Sequence, residues 1–291
     1  MTADLPAEKN TVAARLREGR RRLAACGIDT AELDARLLLS HVLGCGPMEL
    51  YLQQDRQLTA PEAGCFKAVL ARREQREPLS QILGEKEFWS LTFRVTKDVL
   101  TPRPDSETLI EVALARIPDR AAPLRILDLG TGSGCLLLSL LSELPNASGV
   151  GLDISDAALD VARDNAKRLG FADRTDFLIS DWTRALDPEE KFDIILSNPP
   201  YIGEAEKDSL PPEVRHYEPE SALYAGAEGL DDYRKLIDQL PDFLAPGGYI
   251  LFEIGAGQAA AARALLQARG VSDVEVIQDL AGKDRCVCWR P

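Results

Sequence analysis

The chain has 291 residues, 45% of them hydrophobic and 28% charged, an ordinary balance for a folded protein with room for two domains and a sizeable core. Its 34 basic residues stand against 47 acidic ones, a net charge of −13. That balance argues against a surface built to hold a phosphate backbone, and it allows a basic protein partner.

The N-terminal MTADLPAEKN is polar and lacks the apolar core of a secretory signal. Apolar runs such as LRILDLG and YILFEIG are far too short to span a bilayer. No membrane association is expected, and the protein reads as cytoplasmic. Cys26, Cys45, Cys65, Cys135, Cys286 and Cys288 lack Cys-x-x-Cys spacing, and His41 and His216 are the two histidines. No metal site is expected, and the cysteines read as small packed hydrophobes. Cys286 and Cys288 alternate along a strand and so share one face of it.

Residues 1–84 read as a small helical domain. The first helix carries Val12, Leu16 and Leu23 among arginines and ends at Gly27. Arg20, Arg21 and Arg22 fit a solvated face, with a partner contact as the alternative. Asp29 or Thr30 caps a second helix that stops at Gly44. Thr59-Ala-Pro-Glu62 has the form of a capping box with Pro61 in the first turn. Residues 85–104 form a linker: EFWSLTFRV alternates as a strand or hairpin does, and Thr101-Pro102-Arg103-Pro104 is stiff. Asp105 and Glu107 are placed in the first turn of the next helix, where carboxylates suit its dipole.

Residues 105–291 read as a doubly wound α/β domain. Strands are expected at RILDLG, VGLDI, DFLIS, DIILSN, YILFEI, VEVIQD and RCVCW, with helices between most of them. Several are apolar at nearly every residue, as strands covered on both faces are. Ligands are then expected at the carboxyl ends of the strands.

Asp128-Leu-Gly130-Thr131-Gly132-Ser133-Gly134 follows the first of these strands and opens a helix. Its G-x-G-x-G spacing differs from the dinucleotide G-x-G-x-x-G. Asp153 ends the next strand, placed to accept bonds from ribose hydroxyls. Ser180-Asp181-Trp182 ends the third; it offers a carboxylate to an adenine amino group and an indole to the ring face. A helix N-cap is the alternative role for Asp181, and less so for Asp153, whose register with the glycine loop favours the ribose. The loop carries no basic residue, which suits S-adenosylmethionine, a cofactor without a pyrophosphate.

Ser197-Asn198-Pro199-Pro200-Tyr201 ends the fourth strand. An amide nitrogen is a poor nucleophile because its lone pair is delocalised. The Asn198 side-chain oxygen and the Pro199 main-chain oxygen are suitable acceptors for its two N–H groups. The paired prolines fix the main-chain path, and Tyr201 can stack on a planar group or close the pocket. Asn198 also borders the expected cofactor site.

The Asn-Pro-Pro-Tyr motif and the DLGTGSG loop resemble the class I methyltransferases that modify exocyclic or amide nitrogens. EFWSLTFRV, TPRPDSETL, YEPESAL, GLDDYRKLI and LFEIGAGQ resemble one branch, the release-factor glutamine methyltransferases, from about residue 75 to the end. The resemblance implies a seven-stranded, mostly parallel sheet with an N-terminal helical bundle for substrate recognition. It implies transfer of a methyl group to N5 of the glutamine in the Gly-Gly-Gln loop of class I release factors. It implies that Gly130 to Gly134, Asp153 and Trp182 hold the cofactor and Asn198 to Tyr201 the glutamine, with Arg103 and Glu107 as support. The competing readings are a ribosomal-protein glutamine, an N6-adenine or N2-guanine in nucleic acid, and an inactive cofactor-binding module.

Overall fold

The computed structural model describes residues 10–290; all but the last residue of the polar N-terminal stretch read above lies outside the described residues. In chain order the elements are α1 (Val12–Ala25), α2 (Ala31–Leu43), α3 (Glu49–Leu52), α4 (Ala60–Glu74), α5 (Leu79–Leu83), β1 (Glu85–Phe88), β2 (Leu91–Arg94), α6 (Glu107–Ala115), β3 (Arg125–Leu129), α7 (Cys135–Glu143) and β4 (Ser148–Asp153). They continue with α8 (Asp156–Leu169), β5 (Thr175–Ile179), β6 (Phe192–Ser197), α9 (Pro212–Tyr217), α10 (Asp231–Gln239), β7 (Leu244–Glu253), α11 (Ala259–Ala268), β8 (Val274–Gln278) and β9 (Asp284–Trp289). The chain forms two compact units. One comprises the described residues up to Gly84 together with Pro212–Tyr217, the other Glu85–Pro211 with the residues from Glu218 onward.

In the first unit the helix ends follow local chemistry. Gly27 and Gly44, at φ 70° and 62°, take the left-handed positions that end α1 and α2. The Thr59 box is complete: Thr59 N–H donates to Glu62 at 2.7 Å, and Glu62 N–H donates to the Thr59 hydroxyl at 3.4 Å. Thr30 precedes α2 but makes no side-chain cap, because its φ −91°, ψ 18° is not the extended conformation that aims the hydroxyl at the helix. Val12, Leu23, Leu38, Leu39, Phe66 and Leu70 form the core. Of the three arginines, Arg22 grips Glu74 with two bonds of 2.6 Å, while Arg20 and Arg21 stay exposed. The buried Arg73–Asp34 pair (2.7 Å) ties α4 to α2. α9 completes this unit. Glu213 takes Arg73 at 3.0 Å and Arg76 at 2.8 Å, and the Tyr217 hydroxyl donates to Gln75 O at 2.8 Å.

In the second unit β1 and β2 pair as an antiparallel hairpin across Trp89-Ser90. The seven-stranded sheet has the order β5-β4-β3-β6-β7-β9-β8. β3 to β7 run parallel; β9 is antiparallel to both its neighbours. β7 begins five residues before the expected Tyr249, because Phe192 pairs with Leu244 and the ladder resumes at Ile194–Tyr249 past an irregularity. Alternate residues feed two cores. Ile126, Ile194, Leu251, Cys286 and Cys288 pack with α6, α7 and α8, and Leu127, Ile195, Ile250, Phe252 and Val287 pack with α10 and α11. Cys286 and Cys288 are thus free thiols on one buried face. Strand order reverses between β3 and β6, so the loops after these two strands open side by side, where parallel sheets bind ligands. Among the described residues no helix is long and apolar enough to cross a membrane.

Candidate active site

The loop after β3 turns through Gly130, Gly132 and Gly134 at φ 68°, 55° and 79°, conformations open mainly to glycine. Asp153, at the end of β4, holds this loop: one oxygen accepts Gly132 N–H and the other accepts Ser155 N–H, both at 2.9 Å. The carboxylate borders the cavity and can still accept from a ligand hydroxyl. Burial pushes the Asp153 carboxyl up. From α8 the buried Asn165 donates to Ser133 O at 2.9 Å and pairs in both directions with Arg94 of β2. The hairpin and the glycine loop therefore share one anchor.

Asp128 is fully buried. One oxygen accepts the Thr131 hydroxyl at 2.7 Å and the other has no hydrogen-bond partner. Burial pushes its carboxyl up to about 7. After β5, Ser180 organises the turn, donating to Trp182 O at 2.6 Å and accepting Ala185 N–H at 3.0 Å. Asp181 makes no helix cap; its carboxylate pairs with the exposed Arg184 at 2.8 Å. Trp182 adopts φ 56°, uncommon for a bulky residue. That brings its ring to 3.7 Å from the place of a Cβ on Gly130.

At the end of β6, the buried Ser197 hydroxyl donates to Leu129 O at 2.7 Å, stitching the two loop-bearing strands together. Asn198 Nδ2 donates to the Ser106 hydroxyl at 3.4 Å, and the Tyr201 hydroxyl donates to Glu253 at 3.3 Å. Pro199 is buried between them. Two further contacts fix Tyr201, and a third holds the Glu253 main chain. Gln258 Nε2 donates to Tyr201 O at 2.8 Å. A Cβ on Gly229 would come 2.1 Å from Tyr201 O, so only glycine fits there. The Tyr233 hydroxyl donates to Glu253 O at 2.9 Å.

One cavity of about 250 Å³ is lined by Gly130, Thr131, Gly132, Ser133, Asp153, Asp181, Trp182, Asn198 and Pro200, together with Arg103 and Ser106. Asp128, Gly134, Pro199 and Tyr201 lie outside its lining. Four carboxylates, Asp98, Asp153, Asp181 and Asp232, face it against Arg103 and Lys235, and Lys235 is already held by Asp232 at 2.9 Å. A net negative wall suits a cationic sulfonium, and the Asp153 carboxylate and the Trp182 ring suit a nucleoside. The residues present fit S-adenosylmethionine.

Sequence reasoning missed several supports. Asp105 and Glu107 were expected to serve a helix dipole. Glu107 does open α6, in its first turn, and also accepts Trp89 N–H at 2.8 Å; Asp105 instead lies in a 3₁₀ turn, Pro104–Ser106, ahead of α6 and pairs with Arg285 at 3.1 Å. Glu218 of YEPESAL is buried and takes Thr101 N–H at 3.1 Å and Arg103 at 3.3 Å. Ser106 and Glu253 were not singled out. Glu253 did carry a signal, as the lone charge closing the apolar run YILFE.

Two family models match the chain, a PrmC N-terminal domain over residues 15–84 and a methyltransferase domain over residues 121–279. A release factor glutamine methyltransferase of Rhodospirillum rubrum is 46% identical over 275 residues, covering 94% of this chain and 83% of the relative. One of Cereibacter sphaeroides is 48% identical over 269 residues, covering 92% and 94%. Among solved structures, the hMettl16 catalytic domain in complex with a MAT2A 3′UTR hairpin superposes with a TM-score of 0.59 at 18% identity, over 76% of this chain and 81% of the other. That likeness concerns the fold.

Proposed function

Because the chain belongs to the release factor glutamine methyltransferase family, we propose that it methylates N5 of the glutamine in the Gly-Gly-Gln loop of class I peptide release factors in the cytoplasm. The observation that carries this reading is the single cavity shared by the glycine loop, Asp153, Trp182 and Asn198. Bound S-adenosylmethionine supplies an electrophilic methyl group. Asp153 accepts from the ribose, Asp181 from the adenine amino group, and Trp182 covers the ring. Gly130, Thr131, Gly132 and Ser133 give the cofactor main-chain access, with Asp128 and Gly134 shaping the loop behind them. The Asn198 side-chain oxygen and Pro199 O take the two N–H groups of the glutamine amide and hold its nitrogen for in-line attack, at about 3–3.5 Å. Pro200 stiffens this path and Tyr201 closes the pocket. The helical unit receives the body of the release factor.

The test is methyl incorporation from labelled cofactor into purified release factor, with ribosomal protein and RNA as alternative acceptors. Incorporation into RNA and not protein would overturn the reading. Asn198→Ala is expected to abolish transfer while cofactor affinity by calorimetry stays within about a few-fold. Asp153→Ala is expected to weaken cofactor binding by about 1–3 kcal/mol. Equal losses of cofactor affinity in both variants would contradict these roles.

A further inference from the structure

We propose that Ser106 and Glu253 set the polarity of the Asn198 amide: the Ser106 hydroxyl, its proton committed to Glu253, accepts the Asn198 NH2 and so leaves the Asn198 oxygen free for the substrate. The inference rests on the function proposed above, in which that oxygen must meet an N–H donor.

An asparagine side chain ends in an oxygen and an NH2 of similar size, so its neighbours decide which of the two faces the cavity. Turned the wrong way, Asn198 would set its own donors against those of the glutamine amide. A serine hydroxyl alone cannot decide, since it both donates and accepts. While Glu253 is ionised it has no choice. Ser106 and Glu253 are 3% and 1% exposed, and their oxygens are 2.5 Å apart. An ionised carboxylate only accepts, so the Ser106 proton goes to Glu253 and its lone pairs face Asn198 Nδ2 at 3.4 Å. The other Glu253 oxygen accepts the Tyr201 hydroxyl. One buried carboxylate thus orders two members of the Asn-Pro-Pro-Tyr motif from the far side of the cavity wall. The stiff Pro104–Ser106 turn and the end of β7 hold the two groups in place.

The arrangement depends on pH. Glu253 is faced by Arg285 and Cys286 on β9, Asp105 and Ser106 on the turn before α6, Tyr201 on its loop, Tyr233 on α10 and Cys135 on α7. Burial outweighs the attraction of Arg285 and pushes the Glu253 carboxyl up to about 7. Protonation makes it a donor and frees the Ser106 proton to turn toward Asn198. Transfer should therefore be lost as pH falls through that value.

The experiment uses the full chain, a release factor carrying the target glutamine and labelled cofactor. Ser106→Ala is expected to lower kcat about tenfold or more, with KM and cofactor Kd within about twofold. Ser106→Thr, which keeps the hydroxyl, recovers most of the loss. Glu253→Gln lowers kcat and removes the acid limb of the pH profile. A Ser106→Ala variant with the kcat and pH profile of wild type overturns the inference alone, whether or not the Glu253 variant folds. So does a loss shared equally by cofactor affinity. Wild-type protein that methylates no release factor overturns the functional reading instead.

Discussion

Asp128 and Glu253 close the inner strands β3 and β7 on the same face, two residues beyond the buried Ile126 and Leu251. Both carboxyls are raised to about 7 by burial, so between the ordinary carboxylate range and 7 the folded protein keeps protons that the unfolded chain has released. Stability contributed by these groups therefore falls as pH rises across that window, and is level above it. Asp128→Asn carries no such proton. Its melting temperature relative to wild type should be more favourable at about pH 8 than at about pH 5.5; a difference that does not change with pH would show that Asp128 is already ionised in the fold. Asp128 was legible through its glycine loop and Asp153 through its distance from it. Ser106 and Asn165 were not, because their roles come from partners far away in the chain: Glu253 for Ser106, Arg94 and Ser133 for Asn165. No local pattern marks a serine or asparagine that will be buried.

The elements themselves were more legible, because their signals are local. The Thr59 box and the left-handed glycines after α1 and α2 stand where the residues put them. The alternation of EFWSLTFRV gave the hairpin, yet its turn lacks the usual Asn-Gly. Trp89 and Ser90 take φ 50° and 58° instead, the primed turn that matches strand twist. Tertiary bonds compensate: Glu107 accepts Trp89 N–H at 2.8 Å and Glu143 accepts its indole N–H at 2.9 Å. Ser90 is exposed and makes none of these bonds. Ser90→Gly should therefore stabilise the protein by about 0.5–1 kcal/mol through relief of the left-handed conformation, less the added freedom of the unfolded chain. Denaturant melts that show a loss would mean that the serine side chain supports the turn.

At the scale of the whole molecule, a seven-stranded, mostly parallel sheet was legible from the strand pattern and the resemblance together; its strand order, which depends on pairings distant in the chain, was not, and that order accounts for the site. Two loops can meet only if β3 and β6 are neighbours across the reversal of strand order. The return of the chain to the helical unit at Pro212–Tyr217 was not legible. α9 is six residues long, and its anchor, Glu213, pairs with arginines well over a hundred positions earlier. Glu213→Ala should lower the stability of that unit by about 1–3 kcal/mol, since Arg73 keeps only Asp34 as an ionic partner and Arg76 loses its own. An unchanged midpoint for the helical unit, followed by hydrogen exchange in α4, would show that α9 merely rests on it.

That threading sets a schedule for biosynthesis. At about 5–20 residues per second, a ribosome that has finished the first five helices works for roughly 7–27 seconds more before Tyr217 is made. Until then the nascent bundle lacks its closing segment, and Arg73 and Arg76 wait for their acid. Translation arrested before Tyr217 would leave both units unfinished, whereas arrest within β7 to β9 would leave a closed helical unit beside an incomplete sheet.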